Sequence, residues 1–175
     1  MNASPSSQNS ERDVETTKHV RTFLQNLTQR EAAIAVDFLH IMYRRNSSHW
    51  LDNLKLQYGG IDPILAVNQK IQIFCRDRGF AYDAVRTMIF EVYDTFLQTA
   101  REDFLRFADS LDDKEKHFLR SLLSSASFHA IKNLHSPDFA LVEAALNTKV
   151  ISFLRLHKIR YSDFRQIALA QLIND

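Results

Sequence analysis

The side chains whose type and spacing could do chemistry in this sequence are basic residues that recur in two stretches. They are Lys70, Arg76 and Arg86 in the first stretch, and Lys149, Arg155, Lys158 and Arg165 in the second. Ammonium and guanidinium groups placed in this way can bind phosphate, a nucleic-acid backbone or an acidic stripe on a protein. We therefore predict two related basic pockets. The alternative is that these cations only lie across helix junctions and pair with nearby acids.

The basic residues belong to an internal repeat. Residues 66–93 align without a gap to residues 145–172, at a constant offset of 79 positions. Seven of the 28 aligned positions are identical, and they include Asn, Lys, two Arg and Tyr as well as apolar residues. Helical sequences share apolar spacing by chance, but identical polar residues are harder to explain in that way. The match predicts a duplicated helix–turn–helix unit whose two copies pack face to face.

Two further segments extend the repeat upstream. Thr28-x-x-Glu31 parallels Asp112-x-x-Glu115 at an offset of 84. Each pattern is typical of a capping box, in which two side chains satisfy free backbone N–H groups at the start of a helix. The copies are thus predicted over residues 28–110 and 112–175, inside a single all-α domain of residues 11–175.

Catalytic and metal chemistry find little support in the sequence. Asp37-x-x-His40 places two ligand types on one helix face, but a di-iron bundle needs a second matching pair. HExxH, GxSxG, the P-loop and GxGxxG motifs are all missing. The single cysteine, Cys75, lies among apolar residues and is predicted to be a buried thiol. We expect no catalytic residue, no metal site and no cofactor, and a protein that is not an enzyme.

The elements that must position these residues are helices. Hydrophobic residues make up 45% of the chain, and there are only three Gly and three Pro among 175 residues. Apolar residues recur at helical spacing, and no segment alternates with a period of two. This pattern predicts an all-α helical bundle of about seven helices. The net charge of +1 gives no bulk field that would attract nucleic acid or an anionic membrane.

The longest predicted helix carries the candidate interface residues. It extends from Asp83 to about Ser110 with an apolar seam along residues 85–107. Phe96 lies in that seam, and Phe90 lies on a second apolar stripe. A partner protein or a second copy of the chain could cover these stripes. A core that wraps both sides of the helix is the alternative.

The first ten residues, MNASPSSQNS, carry no charged side chain and little apolar surface. We predict a disordered tail over residues 1–10. Its composition resembles the export signals of bacterial type III effectors, which would imply a secreted bacterial effector. The expected location is otherwise cytoplasmic, since a single cysteine fits a reducing compartment and no apolar run is long enough to span a membrane.

These observations favour a non-enzymatic helical adaptor or regulatory protein that acts through protein–protein interaction. The alternative is a nucleic-acid-binding regulator that uses the two basic pockets. Near-zero net charge favours the adaptor. Residues 149–165, with five basic residues against one acidic residue, favour the alternative.

Overall fold

A computed structural model of the chain describes residues 5–43, 48–124 and 137–172. These residues form eight α-helices and contain no strand, which confirms the all-α class with one helix more than the approximate prediction. The helices are α1 (Pro5–Asn26), α2 (Gln29–Tyr43), α3 (Ser48–Tyr58), α4 (Asp62–Arg78), α5 (Tyr82–Asp109), α6 (Asp113–Ser124), α7 (Pro137–His157) and α8 (Tyr161–Leu172). No helix in the described ranges has both the length and the apolar composition to cross a membrane.

The helices group into two compact units. Unit 1 comprises Met1–Thr95 and unit 2 comprises Phe96–Asp175, so the boundary falls inside α5. In unit 1, α2 packs against α3 and α4; in unit 2, α6 packs against α7 and α8. The prediction of a single domain over residues 11–175, with copies over 28–110 and 112–175, stays a prediction.

The core of unit 1 is built mainly on α2, which the sequence predicts to be apolar on most sides. The helix buries Ala32 to Val36 and Leu39. Its neighbours α1, α4 and the first half of α5 each add an apolar stripe at helical spacing. The fully buried side chains of these three helices are Val20, Leu24, Ile64, Ile71, Val85 and Ile89.

The core of unit 2 is an aromatic cluster. The ring centroids of Phe104, Phe107, Phe153 and Phe164 lie 5.0–6.3 Å apart, in tilted and edge-on arrangements. Such offset pairs are the geometry that aromatic quadrupoles prefer. The cluster joins the second half of α5 to α7 and α8, and α6 adds Phe118 and Leu119.

The start of α1 differs from the prediction. α1 begins at Pro5, whereas the sequence predicted a helix from about Glu11, so the predicted tail is helical from residue 5 onward. Proline is compatible with this start because its missing N–H would be unsatisfied in the first turn in any case. Residues 1–4 lie outside the described residues, as do residues 125–136.

Candidate functional site

One lysine of each predicted basic pocket bonds to a glutamate in the first turn of another helix. Lys70 Nζ donates to Glu31 Oε1 at 2.6 Å in unit 1. Lys149 Nζ donates to Glu115 Oε2 at 2.5 Å in unit 2, and also to the Ser110 carbonyl at 3.0 Å. Each lysine thus ties the middle of one helix to the first turn of another. The bond to Glu31 also lowers the pKa of that carboxyl, against an opposing effect of burial.

Both glutamates belong to the predicted capping boxes, which the structure confirms. The backbone N–H of Thr28 donates to Glu31 Oε2 at 2.9 Å, and that of Asp112 donates to Glu115 Oε2 at 2.9 Å. In return, the N–H of each glutamate donates to the side-chain oxygen of its cap residue, at 3.2 and 2.8 Å. One carboxylate therefore caps a helix and neutralises a lysine at the same time.

The turns that follow α4 and α7 also match. Gly79 and Lys158, which are aligned in the repeat, both adopt the left-handed conformation, with φ of 67° and 56°. After each of them, the next N–H donates to a carbonyl five residues earlier, from Phe80 to Cys75 and from Ile159 to Leu154. This pattern closes a helix with a Schellman-type turn. These shared details support the duplication, which itself remains an inference.

A similar contact involves α1, which precedes the first predicted copy, and the second half of α5, which lies within it. At the offset of 84, α1 aligns with this part of α5, and Phe23 aligns with Phe107. Phe23 stacks on Phe74 of α4 at 4.6 Å, and Phe107 packs on Phe153 of α7 at 5.0 Å. Sequence reasoning missed this part because the two segments share few residues besides these phenylalanines and a leucine before each capping box.

The predicted arginines are spread over separate partners. Arg76 bonds to the neighbouring Asp77 at 3.0 Å, and Arg86 lies 3.4 Å from Asp83. Arg155 and Arg165 are exposed. Among the described residues, each cation of the set that forms an ion pair therefore contacts a different carboxylate. Lys149 is the member of the predicted set that lines the cleft described below.

The two candidate interface phenylalanines are both half-buried. The Phe90 ring packs against His40 of α2 with a centroid distance of 4.3 Å. Phe96 has intramolecular contacts as well. Tyr93, on the same stripe as Phe90, is buried. Both stripes of α5 therefore contribute to packing inside the molecule, which leaves Phe90 and Phe96 only part of their surface for a partner.

A cleft of about 380 Å³ opens in unit 2 between the second half of α5 and α7. Its apolar wall consists of Phe107, Phe153 and Leu156. The polar lining residues are Asp103, Arg106, Ser110, Thr148, Lys149, Ser152 and His157. A volume of this size falls within the range of small ligand pockets.

The three hydroxyl groups of the cleft all donate their protons inward. Ser110 donates to the Phe107 carbonyl at 2.6 Å, and Ser152 donates to the Thr148 carbonyl at 2.8 Å. Thr148 itself donates to the Ala144 carbonyl at 2.9 Å. A hydroxyl has one proton and two lone pairs. These groups therefore present lone pairs, and no free proton, to the cleft.

His157 is the buried polar group of the cleft. Its side chain is only 5% exposed, and its Nε2 has no hydrogen-bond partner among the described residues. Nε2 lies 3.7 Å from Asp103 Oδ2, which is too far for a hydrogen bond. Burial lowers the pKa of His157, and the Asp103 charge opposes this only in part. A buried polar atom without a partner is uncommon in folded proteins, and His157 is the buried titratable side chain at the base of this cleft.

α7 carries three exposed apolar residues. Leu141, Ile151 and Leu156 have 73%, 46% and 75% of their surface exposed, and exposed polar residues such as Ser152 and Arg155 lie between them around the helix. The opposite side of the helix is buried and apolar, with Leu146, Val150, Phe153 and Leu154. We call the set Leu141, Ile151 and Leu156 the α7 patch.

Unit 1 has no equivalent of the α7 patch at the aligned positions. There, 79 residues earlier, α4 carries Asp62, Gln72 and Asp77, and all three are exposed. The two helices share their buried face but differ in where they expose apolar residues, which in α4 are Leu65 and Ile73. The aligned sequences contain this difference, and it could have been found by comparing the copies at exposed positions.

The other residues that the sequence singled out take part in the packing and hydrogen bonding of the fold. Cys75 is buried as predicted, and burial raises the pKa of its thiol. Asp37 accepts a hydrogen bond from the Tyr58 hydroxyl at 2.6 Å. In the described part of the chain, no group of three or more His, Cys, Asp or Glu side chains could hold a metal ion. Comparison with protein-family models, curated proteins and solved structures found no match to this chain.

Proposed function

We propose that the protein is a non-enzymatic helical adaptor or regulatory protein, and that it binds a partner protein through the α7 patch. The observation that carries the proposal is the exposure of three large apolar side chains on one helix, at positions whose equivalents 79 residues earlier are polar. Burying one such side chain is worth about 1.5–3 kcal/mol. Three of them can supply the apolar centre of a protein interface.

The contrast between the copies supports this reading. Exposed apolar side chains that are scattered singly are normal on protein surfaces. The three residues of the α7 patch lie instead on the exposed half of one helix. At the two of these positions that fall within the aligned stretch, unit 1 carries the polar residues Gln72 and Asp77. Folding alone therefore does not require apolar residues at positions 151 and 156.

The proposal can be tested with residues taken from unit 1. The variant Ile151→Gln/Leu156→Asp gives α7 the side chains found at the aligned positions of α4. We expect affinity purification with mass spectrometry from native cells to recover partners with the wild-type protein, and these partners to fall at least about tenfold with the variant. Far-UV circular dichroism should be unchanged, since both side chains are exposed.

Leu56→Asp on α3 is the matched control, because it places the same charge at an exposed leucine outside the patch. It should retain the partners. Sedimentation equilibrium on the same proteins identifies the occupant if it is a second copy, since only the patch variant would then become monomeric. Equal recovery of partners by the wild type and the patch variant, with equal mass in sedimentation, would contradict the proposal.

Binding of nucleic acid through the basic residues is less well supported. Lys70, Lys149 and Arg76 each bond to a carboxylate. Each of these cations would lose that bond on binding a phosphate. The exposed Arg155 and Arg165 are the members of the set that could make phosphate contacts at little cost.

A further inference from the structure

The cleft between α5 and α7 adjoins the α7 patch, because Leu156 belongs to both. A partner that covers Leu156 would therefore also cover the cleft. Its polar lining then has to be satisfied by groups of the partner, since water would be excluded. The hydrogen-bonding character of the lining identifies those groups.

The cleft has many acceptors. The hydroxyl oxygens of Ser110, Thr148 and Ser152 have lone pairs only, because their protons bond to helix carbonyls. Asp103 adds a carboxylate, which lies at the edge of the cleft beside the unpartnered Nε2 of His157.

The donors of the cleft are already engaged. Lys149 donates to Glu115 and to the Ser110 carbonyl. Arg106 lies 3.4 Å from Asp103 Oδ1, but its side chain is 86% exposed, so its position is weakly held. An incoming cation could displace Arg106 into solvent at little cost. The charges of Lys149 and Glu115 cancel, which leaves Asp103 as the charge that faces the cleft without a buried counterion.

We propose that the cleft receives a Lys or Arg side chain of the partner protein, flanked by apolar residues that cover Leu156. This inference rests on the proposed function. The cationic head donates to Asp103 Oδ2 and to the hydroxyl oxygens. Its stem lies along Phe107 and Phe153, whose rings also attract a cation. A carboxylate guest would instead face Asp103 and a row of lone pairs.

The test uses capped pentapeptides and the full chain labelled on its histidine rings. Ac-Ala-Leu-Arg-Leu-Ala-NH2 is compared with the same peptide carrying citrulline, which keeps the shape without the charge, and with one carrying glutamate. The His157→Gln variant assigns the His157 signal in the NMR spectrum. We expect the arginine peptide to shift that signal with saturation. The citrulline peptide should bind several-fold more weakly, and the glutamate peptide should not saturate.

Asp103→Asn should weaken binding of the arginine peptide about tenfold, as expected for one charge-assisted hydrogen bond. Asp109→Asn, an exposed acid on the same helix outside the cleft lining, is the matched control and should bind as the wild type does. Absence of a saturable shift with the arginine peptide, equal binding of the glutamate peptide, or wild-type affinity in Asp103→Asn would each overturn the inference.

The partner experiment separates this inference from the proposed function. If Ile151→Gln/Leu156→Asp loses the partners while Asp103→Asn keeps them, the adaptor function holds and the basic guest is wrong. If both variants keep the partners, the adaptor function itself is wrong. Loss of the partners in both variants, with the control Asp109→Asn unaffected, is the result expected from both proposals.

Discussion

The two lysine–glutamate pairs differ in how deeply the carboxylate is buried. The Glu115 side chain is 3% exposed, whereas that of Glu31 is 25% exposed. A carboxylate inside the protein depends on its counterion, because desolvation of an unpaired charge is costly. The partly exposed Glu31 can instead turn to water when its lysine is lost.

We therefore predict that Lys149→Met destabilises the protein more than Lys70→Met does. The loss should be about 2–3 kcal/mol for Lys149→Met, since a buried carboxylate is left without its cation. It should be about 1 kcal/mol or less for Lys70→Met, as for an exposed pair. Urea unfolding monitored by circular dichroism gives both values. Equal losses in the two variants would show that the burial of the glutamate does not decide the effect.

The second prediction at this scale concerns pH and His157. The ordinary pKa of 6.5 applies in the unfolded chain, and burial lowers it in the folded protein. As the pH falls through 6.5, the unfolded chain takes up a proton that the folded protein does not. The free energy of unfolding should therefore decrease below about pH 6.5 and level off below the lowered pKa.

Urea unfolding from about pH 8 to about pH 5 should show this decrease in the wild type and a flatter dependence in His157→Gln. The exposed His117→Gln variant is the control and should keep the wild-type slope. A His157→Gln variant with the wild-type slope would mean that the ring of His157 titrates alike in the folded and unfolded states. Below that range, Glu31 adds its own loss of stability, which begins as the pH falls below the ordinary pKa of 4.5 and is complete below the lowered pKa of Glu31 in the folded protein.

At the scale of elements, the residue at the left-handed position suits the turn after α4 better than it suits the turn after α7. Both turns need a left-handed residue, which is Gly79 in one and Lys158 in the other. A side chain in this conformation costs roughly 1–2 kcal/mol because its Cβ approaches the following carbonyl. Glycine avoids this cost, although it loses more entropy on folding.

Lys158→Gly should accordingly stabilise the protein by about 0.5–1 kcal/mol, and Gly79→Ala should destabilise it by a similar amount. Guanidinium unfolding of the two variants and the wild type would measure both effects. A Lys158→Gly variant less stable than the wild type would show that the contacts of the lysine side chain outweigh the strain of its backbone.

The sequence could predict those hydrogen bonds of the fold that join residues close together in the chain. The capping boxes at Thr28 and Asp112 follow from residues three positions apart. The Lys–Glu bonds could not be predicted, because they join residues 39 and 34 positions apart whose meeting depends on helix packing. The cleft was missed for the same reason, since it exists only where α5 and α7 pack together.

At the scale of the whole molecule, the charge is nearly balanced, with 22 basic and 21 acidic residues. Binding to nucleic acid without base contacts depends on released counterions and so on net positive charge. Several of the cations here are neutralised by acids of the same chain. The net attraction to a phosphate backbone should therefore be small.

We predict that labelled duplex and single-stranded oligonucleotides show no binding at about 150 mM salt in a fluorescence anisotropy titration. Weak binding at low salt should vanish as salt is raised. Binding that persists at moderate salt and is reduced by Arg155→Ala/Arg165→Ala, but not by the patch variant Ile151→Gln/Leu156→Asp, would favour the nucleic-acid alternative over the adaptor.

The paired lysines also give each unit its own chemical reporter. An amine that is ion-paired with a carboxylate is a poor nucleophile, and it gains reactivity only when the ion pair breaks. Mild acylation with a water-soluble ester, followed by peptide mapping, would then record opening of unit 1 at Lys70 and of unit 2 at Lys149 as two separate time courses. The conformational freedom of each half could be followed in this way in the full chain, without any substitution.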